Sequence, residues 1–214
     1  MVTLTHEFLR HAACARHVHS DGLSTDIPSE YPIYFTQKIT ALRRLGYKIQ
    51  QRCSAKARGL YTIPQNKKQR TTAARIQKHV FDEQGARQFP HSLFIGPDDH
   101  LLYMLFVELG SLAVPTPFNS SGALIRRGRL LTPYIDFNLV TYSTDAADRL
   151  AAWLYNSYSL NTRSVREAGC PRVRIYDTTS VLGYIDCISS YTTADTRQVV
   201  TVANLFKGDR EYVS

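Results

Sequence analysis

The segment Pro97-Asp-Asp-His-Leu-Leu-Tyr-Met-Leu-Phe-Val-Glu-Leu-Gly110 combines a helix start, an apolar centre and a stop within fourteen residues. Proline suits the first turn of a helix, where its missing N–H is not needed. Leu101–Val107 is apolar without interruption, and Gly110 ends the run. A helix that is apolar all round is buried. At seven residues, this longest apolar run in the chain is far short of the ~20 needed to cross a bilayer, so no membrane span is expected.

Outward from this helix the pattern alternates between helices and strand pairs. On the C-terminal side, Ala123–Leu131 and Ile135–Tyr142 predict a strand pair, and a helix follows from Thr144 to about Tyr158. Asn161–Arg166 and Arg172–Asp177 predict a second strand pair. Residues 179–190 predict a helix, and Gln198–Lys207 a last one. On the N-terminal side, residues 5–20 predict a helix, with Thr5 as N-cap and Asp21-Gly22 as its end. Met1–Ser20 has the charge of an organelle presequence but is read here as that folded helix. Tyr31–Thr36 alternates like a strand, and residues 37–46 suit a helix ended by Gly46. Tyr47–Cys53 and Arg58–Pro64 predict a strand pair, and residues 71–84 a helix closed by Gly85. One strand is not legible between Gly22 and Tyr31. The expected class is α+β, with two pseudo-symmetric αββαββα halves, residues 1–95 and 96–214.

The composition sets further bounds. The 214 residues are 43% hydrophobic and 21% charged, which excludes a disordered chain. Four cysteines (Cys14, Cys53, Cys170, Cys187) form no C-x-x-C pair and no disulfide framework. His11, His17 and His19 do not share one helical face, so they make a poor metal set. The net charge of +8 is localised. Twelve Lys/Arg fall between Arg43 and Arg87 against two acids, Asp82 and Glu83, for a local +10; the remainder carries −2. Tyr47, Ile49, Tyr61 and Ile63 are interleaved with them. Such a surface attracts polyanions, chiefly nucleic acid, the alternative being a solvated basic face. In Arg172–Tyr176, Val173 and Ile175 point one way and Arg172, Arg174 and Tyr176 the other. A sheet with an Arg/Tyr face is a candidate surface for phosphates and stacked bases. The candidate nucleic-acid contacts are Lys48, Arg52, Lys56, Arg58, Lys67, Lys68, Arg70, Arg126, Arg127, Arg129, Arg163, Arg172, Arg174 and Tyr176.

The 97–110 segment is similar to the second signature helix of LAGLIDADG homing endonucleases, whose maturase-like branch ends that helix Trp-Phe-Met-Asp-Asp-Gly. Val140-Thr-Tyr-Ser-Thr144, Tyr158-Ser-Leu-Asn-Thr162 and Arg172-Val-Arg-Ile-Tyr176 resemble the steps that follow it. Cys14–Gly22 is similar to the first signature, and Tyr34-Phe-Thr-Gln37 to the strand after it. The resemblance implies signature helices packed at the centre and two sheets forming a saddle over nucleic acid. It also implies an acid before each signature glycine, the two acids holding Mg²⁺ for hydrolysis. Here those positions are Asp21 and Leu109, with Glu108 one residue earlier, a step that turns a side chain by ~100° on a helix. Asp21 and Glu108 are the candidate catalytic acids, vestigial ones, and Asp21 the candidate metal ligand. The family's C-terminal lysine motif falls near Ala194–Gln198, where Arg197 is the base.

The expected function is therefore a catalytically inactive, nucleic-acid-binding descendant that holds structured RNA. Its partners would be rRNA with ribosomal proteins, or an intron RNA, in a mitochondrial or other organellar particle. It would need no cofactor. The alternatives are a Mg²⁺-dependent DNA endonuclease and a module for protein interaction.

Overall fold

The computed structural model describes residues 2–15, 17–19, 22–28, 31–53, 57–113 and 133–191. The chain runs α1 (Val2–Cys14), β1 (His17–His19), β2 (Gly22–Pro28), α2 (Pro32–Arg44), β3 (Lys48–Cys53), β4 (Ala57–Ile63) and α3 (Lys67–Val80). It continues, after one 3-10 turn at His91–Leu93, with α4 (Asp99–Leu109), β5 (Gly110–Ala113), β6 (Tyr134–Asn138), α5 (Thr144–Tyr158), β7 (Thr162–Glu167), β8 (Cys170–Ile175) and α6 (Thr178–Ile188). Both runs have one element order. Each forms a four-stranded antiparallel sheet, β1-β2-β4-β3 and β5-β6-β8-β7, with the same sequence of neighbours.

α4 is the central element. Every side chain from Leu101 to Val107 is at most 2% exposed. α1 and α6 both pack against it, and the Tyr184 hydroxyl of α6 donates to the Leu102 carbonyl at 2.7 Å. Asp98 caps the helix by accepting from the Leu101 N–H at 3.0 Å. Gly110 is required by close approach: a β-carbon there would stand 2.8 Å from the Phe106 carbonyl oxygen. The helix can therefore turn directly into β5.

Four expectations are corrected. First, α1 stops at Cys14, and His17–His19 is a strand paired with β2 (His17↔Ser24, His19↔Gly22). Gly22 thus opens a strand and is not the end of a helix; Asp21 itself lies outside the described residues. Second, β2 is the strand that was not legible. Its Ser24, Thr25 and Asp26 hide the alternation carried by Leu23 and Ile27, 1% and 0% exposed. Third, Tyr31–Thr36 is not a strand but belongs to one helix, α2. Pro32 occupies its first turn, and Tyr34, Phe35, Lys38, Ile39 and Leu42 are buried at helical spacing. Six alternating residues are too few to separate the two periods. Fourth, the partner of β6 is β5, immediately after α4. Ala123–Leu131 and Gln198–Lys207 lie outside the described residues.

α3 begins at Lys67, four residues before its expected start, because the Asn66 side chain accepts from the Gln69 N–H at 2.9 Å. Gly46, at φ +85°, makes the turn between α2 and β3 in the left-handed region.

Candidate nucleic-acid interface

The end of α4 is where a helix-borne acid would act, and it is a closed polar site. The Lys38 ammonium of α2 donates to Glu108 Oε1, and the side chains are 0% and 1% exposed. The Tyr34 hydroxyl donates to the same oxygen at 2.5 Å, and Thr25 Oγ1 of β2 donates to Oε2 at 2.9 Å. Burial, then the Glu108 charge, pushes the Tyr34 phenol well above its ordinary pKa, so it remains a donor. Both carboxylate oxygens are thus committed to donors of α2 and β2. A hard divalent cation needs several oxygen ligands and repels an ammonium. The group does not fit beside Lys38, and among the described residues no three metal-capable side chains come together. Lys38 was not singled out in the sequence. Its signal, a lysine among the buried positions of α2, becomes visible only once α2 is known to be one helix.

A second buried cation acts on α1. Arg87, counted in the sequence with the basic patch, is 2% exposed and is not part of that surface. Its guanidinium donates to the carbonyls of Ala15, Ala12 (2.6 Å) and Ala13 (3.2 Å), the unpaired acceptors at the end of α1. It lies 4.5 Å over the Tyr142 ring, and the Tyr142 hydroxyl also donates to Ala13. This fork ends the helix at the junction with β1.

His11 sits in the same interior, 4% exposed. Burial, then the charges of Lys38, His100 and Arg10, holds its pKa well below the ordinary 6.5. The unfolded chain therefore binds a proton that the folded one refuses. Stability is full above pH 6.5 and declines as the pH falls below it, by up to about 1.4 kcal/mol per pH unit for one such group. Urea denaturation at pH 7.5 and 5.5 measures the decline. His11→Gln should reduce it, leaving the same-signed share of His100. Equal wild-type stability at the two pH values would mean that His11 protonates without cost.

The two sheets present different outer faces. In the first, Leu23, Ile27 and Leu60 point toward the helices, so register places Lys48, Gln50 and Arg52 outward beside Gly59, Tyr61 and Ile63, with Asp26 of β2 on the same face opposite Gly59. Lys48 and Arg52 are exposed, and Arg52 lies 5.7 Å from the Tyr61 ring centre. Arg58 points the other way and lies 5.8 Å over Phe35 of α2. In the second sheet the outward row is Tyr134, Asp136, Arg172, Arg174, Arg163 and Glu167. Asp136, 5% exposed, accepts from Arg172 Nη1 and from Arg174 Nε at 3.3 Å. Glu167 Oε2 stands 3.3 Å from Arg172 and 3.4 Å from Arg174. Arg174 also covers the Tyr134 ring at 4.5 Å. Two acids therefore offset two arginines on this face. Arg163 is exposed beside them, and Tyr176 is exposed just past β8.

Of the other sequence candidates, Lys67, Lys68 and Arg70 are exposed on α3, on the helix side of the first sheet. Lys56, Arg126, Arg127, Arg129, Asp21 and Arg197 lie outside the described residues. The structure thus brings Lys48, Arg52 and Tyr61 together and separates them from Arg58 and from Lys67, Lys68 and Arg70.

No protein-family model and no curated protein sequence matches the chain. Solved structures do match in fold. The homing endonuclease I-WcaI bound to its DNA recognition sequence aligns with TM-score 0.58 and 10% identity, over 89% of this chain and 82% of that one. The N-terminal LAGLIDADG domain of DUF199/WhiA aligns with TM-score 0.51 and 12% identity, over 86% and 81%. Full-length DUF199/WhiA from Thermatoga maritima aligns with TM-score 0.53 and 11% identity, over 98% of this chain and 66% of that one. The chain therefore has an α+β fold with two antiparallel sheets resembling a LAGLIDADG domain. At these identities the likeness concerns the fold alone.

Proposed function

We propose that this chain binds nucleic acid through the outer face of its first sheet, does not cleave it, and serves as an RNA-holding component of an organellar ribonucleoprotein. The reading takes the two element runs as the pseudo-symmetric halves of a homing-endonuclease fold, derived from the maturase-like branch. One contrast carries it. The helix-end acid Glu108 is committed to Lys38, Tyr34 and Thr25, while Lys48 and Arg52 stand exposed beside an aromatic ring. A face of that kind offers phosphate contacts and a stacking surface without a hydrolytic centre. Structured RNA in a ribosome or intron, and a mitochondrial site, are proposed from the sequence resemblance. A DNA-bound homing endonuclease of the same fold favours a second reading, a Mg²⁺-dependent DNA endonuclease.

Fluorescence anisotropy with a labelled RNA hairpin and a DNA duplex, titrated with salt, tests the binding. Lys48→Ala with Arg52→Ala should flatten the slope of log Kobs against log salt by about 2, whereas Arg58→Ala should leave it unchanged. An unchanged slope in the double variant would remove the sheet face from the interface. Incubation of supercoiled plasmid with Mg²⁺ tests the chemistry. Nicking that Asp21→Asn abolishes would establish the endonuclease reading.

A further inference from the structure

We propose that α3 carries a second phosphate-binding surface, on the opposite side of the first sheet from Lys48 and Arg52, so that one molecule bridges two nucleic-acid segments. The inference rests on the nucleic-acid reading above and adds a site and a bridging activity to it. α3 reads Lys-Lys-Gln-Arg-Thr-Thr-Ala-Ala-Arg-Ile-Gln-Lys-His-Val and contains no acid. Ala73, Ile76 and Val80 are buried toward α1 and the sheet. Lys67, Lys68, Arg70, Arg75 and Lys78 are exposed, and among the described residues none of the five has an ion pair. Lys68, Thr71, Arg75 and Lys78 follow one another at spacings of three and four, which aligns them along one stripe of the helix.

The first turn of α3 is electrostatically unfavourable as it stands. A helix N-terminus carries about half a positive charge and favours anions. Here it carries Lys67 and Lys68 and no acid. The Gln69 amide donates to the Gly46 carbonyl at 2.8 Å, tying this turn to the end of α2 and so to exposed Arg43 and Arg44. A cleft of about 730 Å³ opens beside it, lined by Lys67, Lys68 and Arg75 on one side and by Phe8 and Tyr47 on the other. Phe8 and Tyr47 stack at 4.6 Å. Burial pushes the Tyr47 phenol up to about 12, so it stays protonated near neutral pH. The cations fit phosphates; Phe8 and Tyr47, 2% and 5% exposed, form the packed floor of the cleft and leave the contact to the backbone charge of the nucleic acid. Lys48 and Arg52 face outward from the sheet, whereas α3 packs on its helix side against α1, β1 and β2, so the two groups of cations face different directions.

A bridging assay with the whole chain tests this. A biotinylated RNA hairpin on beads, protein, and a second hairpin bearing a dye are mixed, and captured dye is measured; a matched pair of DNA duplexes forms a second arm. The variants are Lys48→Ala/Arg52→Ala on the sheet and Lys68→Ala/Arg75→Ala/Lys78→Ala on α3, with circular dichroism confirming that each is folded. The wild type should capture the second hairpin. Each variant should still bind one hairpin, at least tenfold more weakly, and capture no dye. A wild-type stoichiometry of one hairpin, or bridging that survives the α3 substitutions, overturns the proposal. Binding lost in the α3 variant but intact in the sheet variant would overturn both the bridge and the sheet reading. If α3 instead retains a poly-glutamate peptide and no hairpin, the surface belongs to an acidic protein partner and the proposal fails. If the RNA arm alone succeeds, the second segment is RNA.

Discussion

Glu108→Leu destabilises the protein by about 3–5 kcal/mol, and combining it with Lys38→Met recovers most of the loss. The single change leaves the Lys38 ammonium in a site where it is 0% exposed, with no counter-charge. An orphaned buried charge of this kind has a cost of that size, whereas replacing both partners with apolar groups of similar volume is often neutral. Tyr34 and Thr25 also lose their acceptor, so the double variant keeps a residual cost of about 1–2 kcal/mol. Urea denaturation of the wild type, the two single variants and the double variant measures the coupling. Additive losses would mean that the two side chains act independently. The consequence for function is direct: an acid one residue before the end of the central helix holds α4 to α2 and β2, and this is chemistry of stability.

Arg87→Met should cost about 3 kcal/mol or more. It strips the carbonyls of Ala12, Ala13 and Ala15 of a charged donor while they remain buried. Arg87→Lys should not restore the loss, because one ammonium cannot present the fork that meets several carbonyls at once. Tyr142→Phe, which removes a single hydroxyl donor to Ala13, should cost about 1 kcal/mol. Hydrogen exchange of α1 separates local from global loss: its amides should lose protection first in Arg87→Met. A variant as stable as the wild type would show that α1 ends without help.

Lys38 and Arg87 show why parts of the site were hidden in the sequence. Both are cations in a chain of net charge +8; counting charge places Arg87 with the basic patch and gives Lys38 no distinction. Their partners are 70 and 72 or more residues away, at Glu108 and at the end of α1. The end of α1 was misplaced for the same reason. The local pattern of residues 5–20 continues as a helix past Cys14, and the carbonyls that would have extended it are taken by the Arg87 guanidinium and the Tyr142 hydroxyl, both distant in sequence. The α4 segment was legible because its signals are local: a proline at its start, a run of apolar residues, and a glycine, although the cap falls on Asp98 and Pro97 stands just before the helix. The pair β3 and β4, and the pair β7 and β8, were legible for the same reason, each being two short strands around a tight connection.

The faces divide in the same way. That Arg172 and Arg174 share a side follows from strand alternation and needs no structure. That this side also holds Asp136 and Glu167, and so is offset in charge, depends on which strands lie next to β8, which is a matter of tertiary register. Likewise Lys48, Arg52 and Arg58 are close in sequence, but the β4 register sends Arg58 to the helix side. Local sequence therefore determined the α+β class, most of the elements, the buried central helix and the excess of positive charge, because each depends on neighbours within a few residues. Tertiary structure alone decided which charges are spent on the fold and which face outward, because Coulomb pairing and burial depend on distance in space and not along the chain.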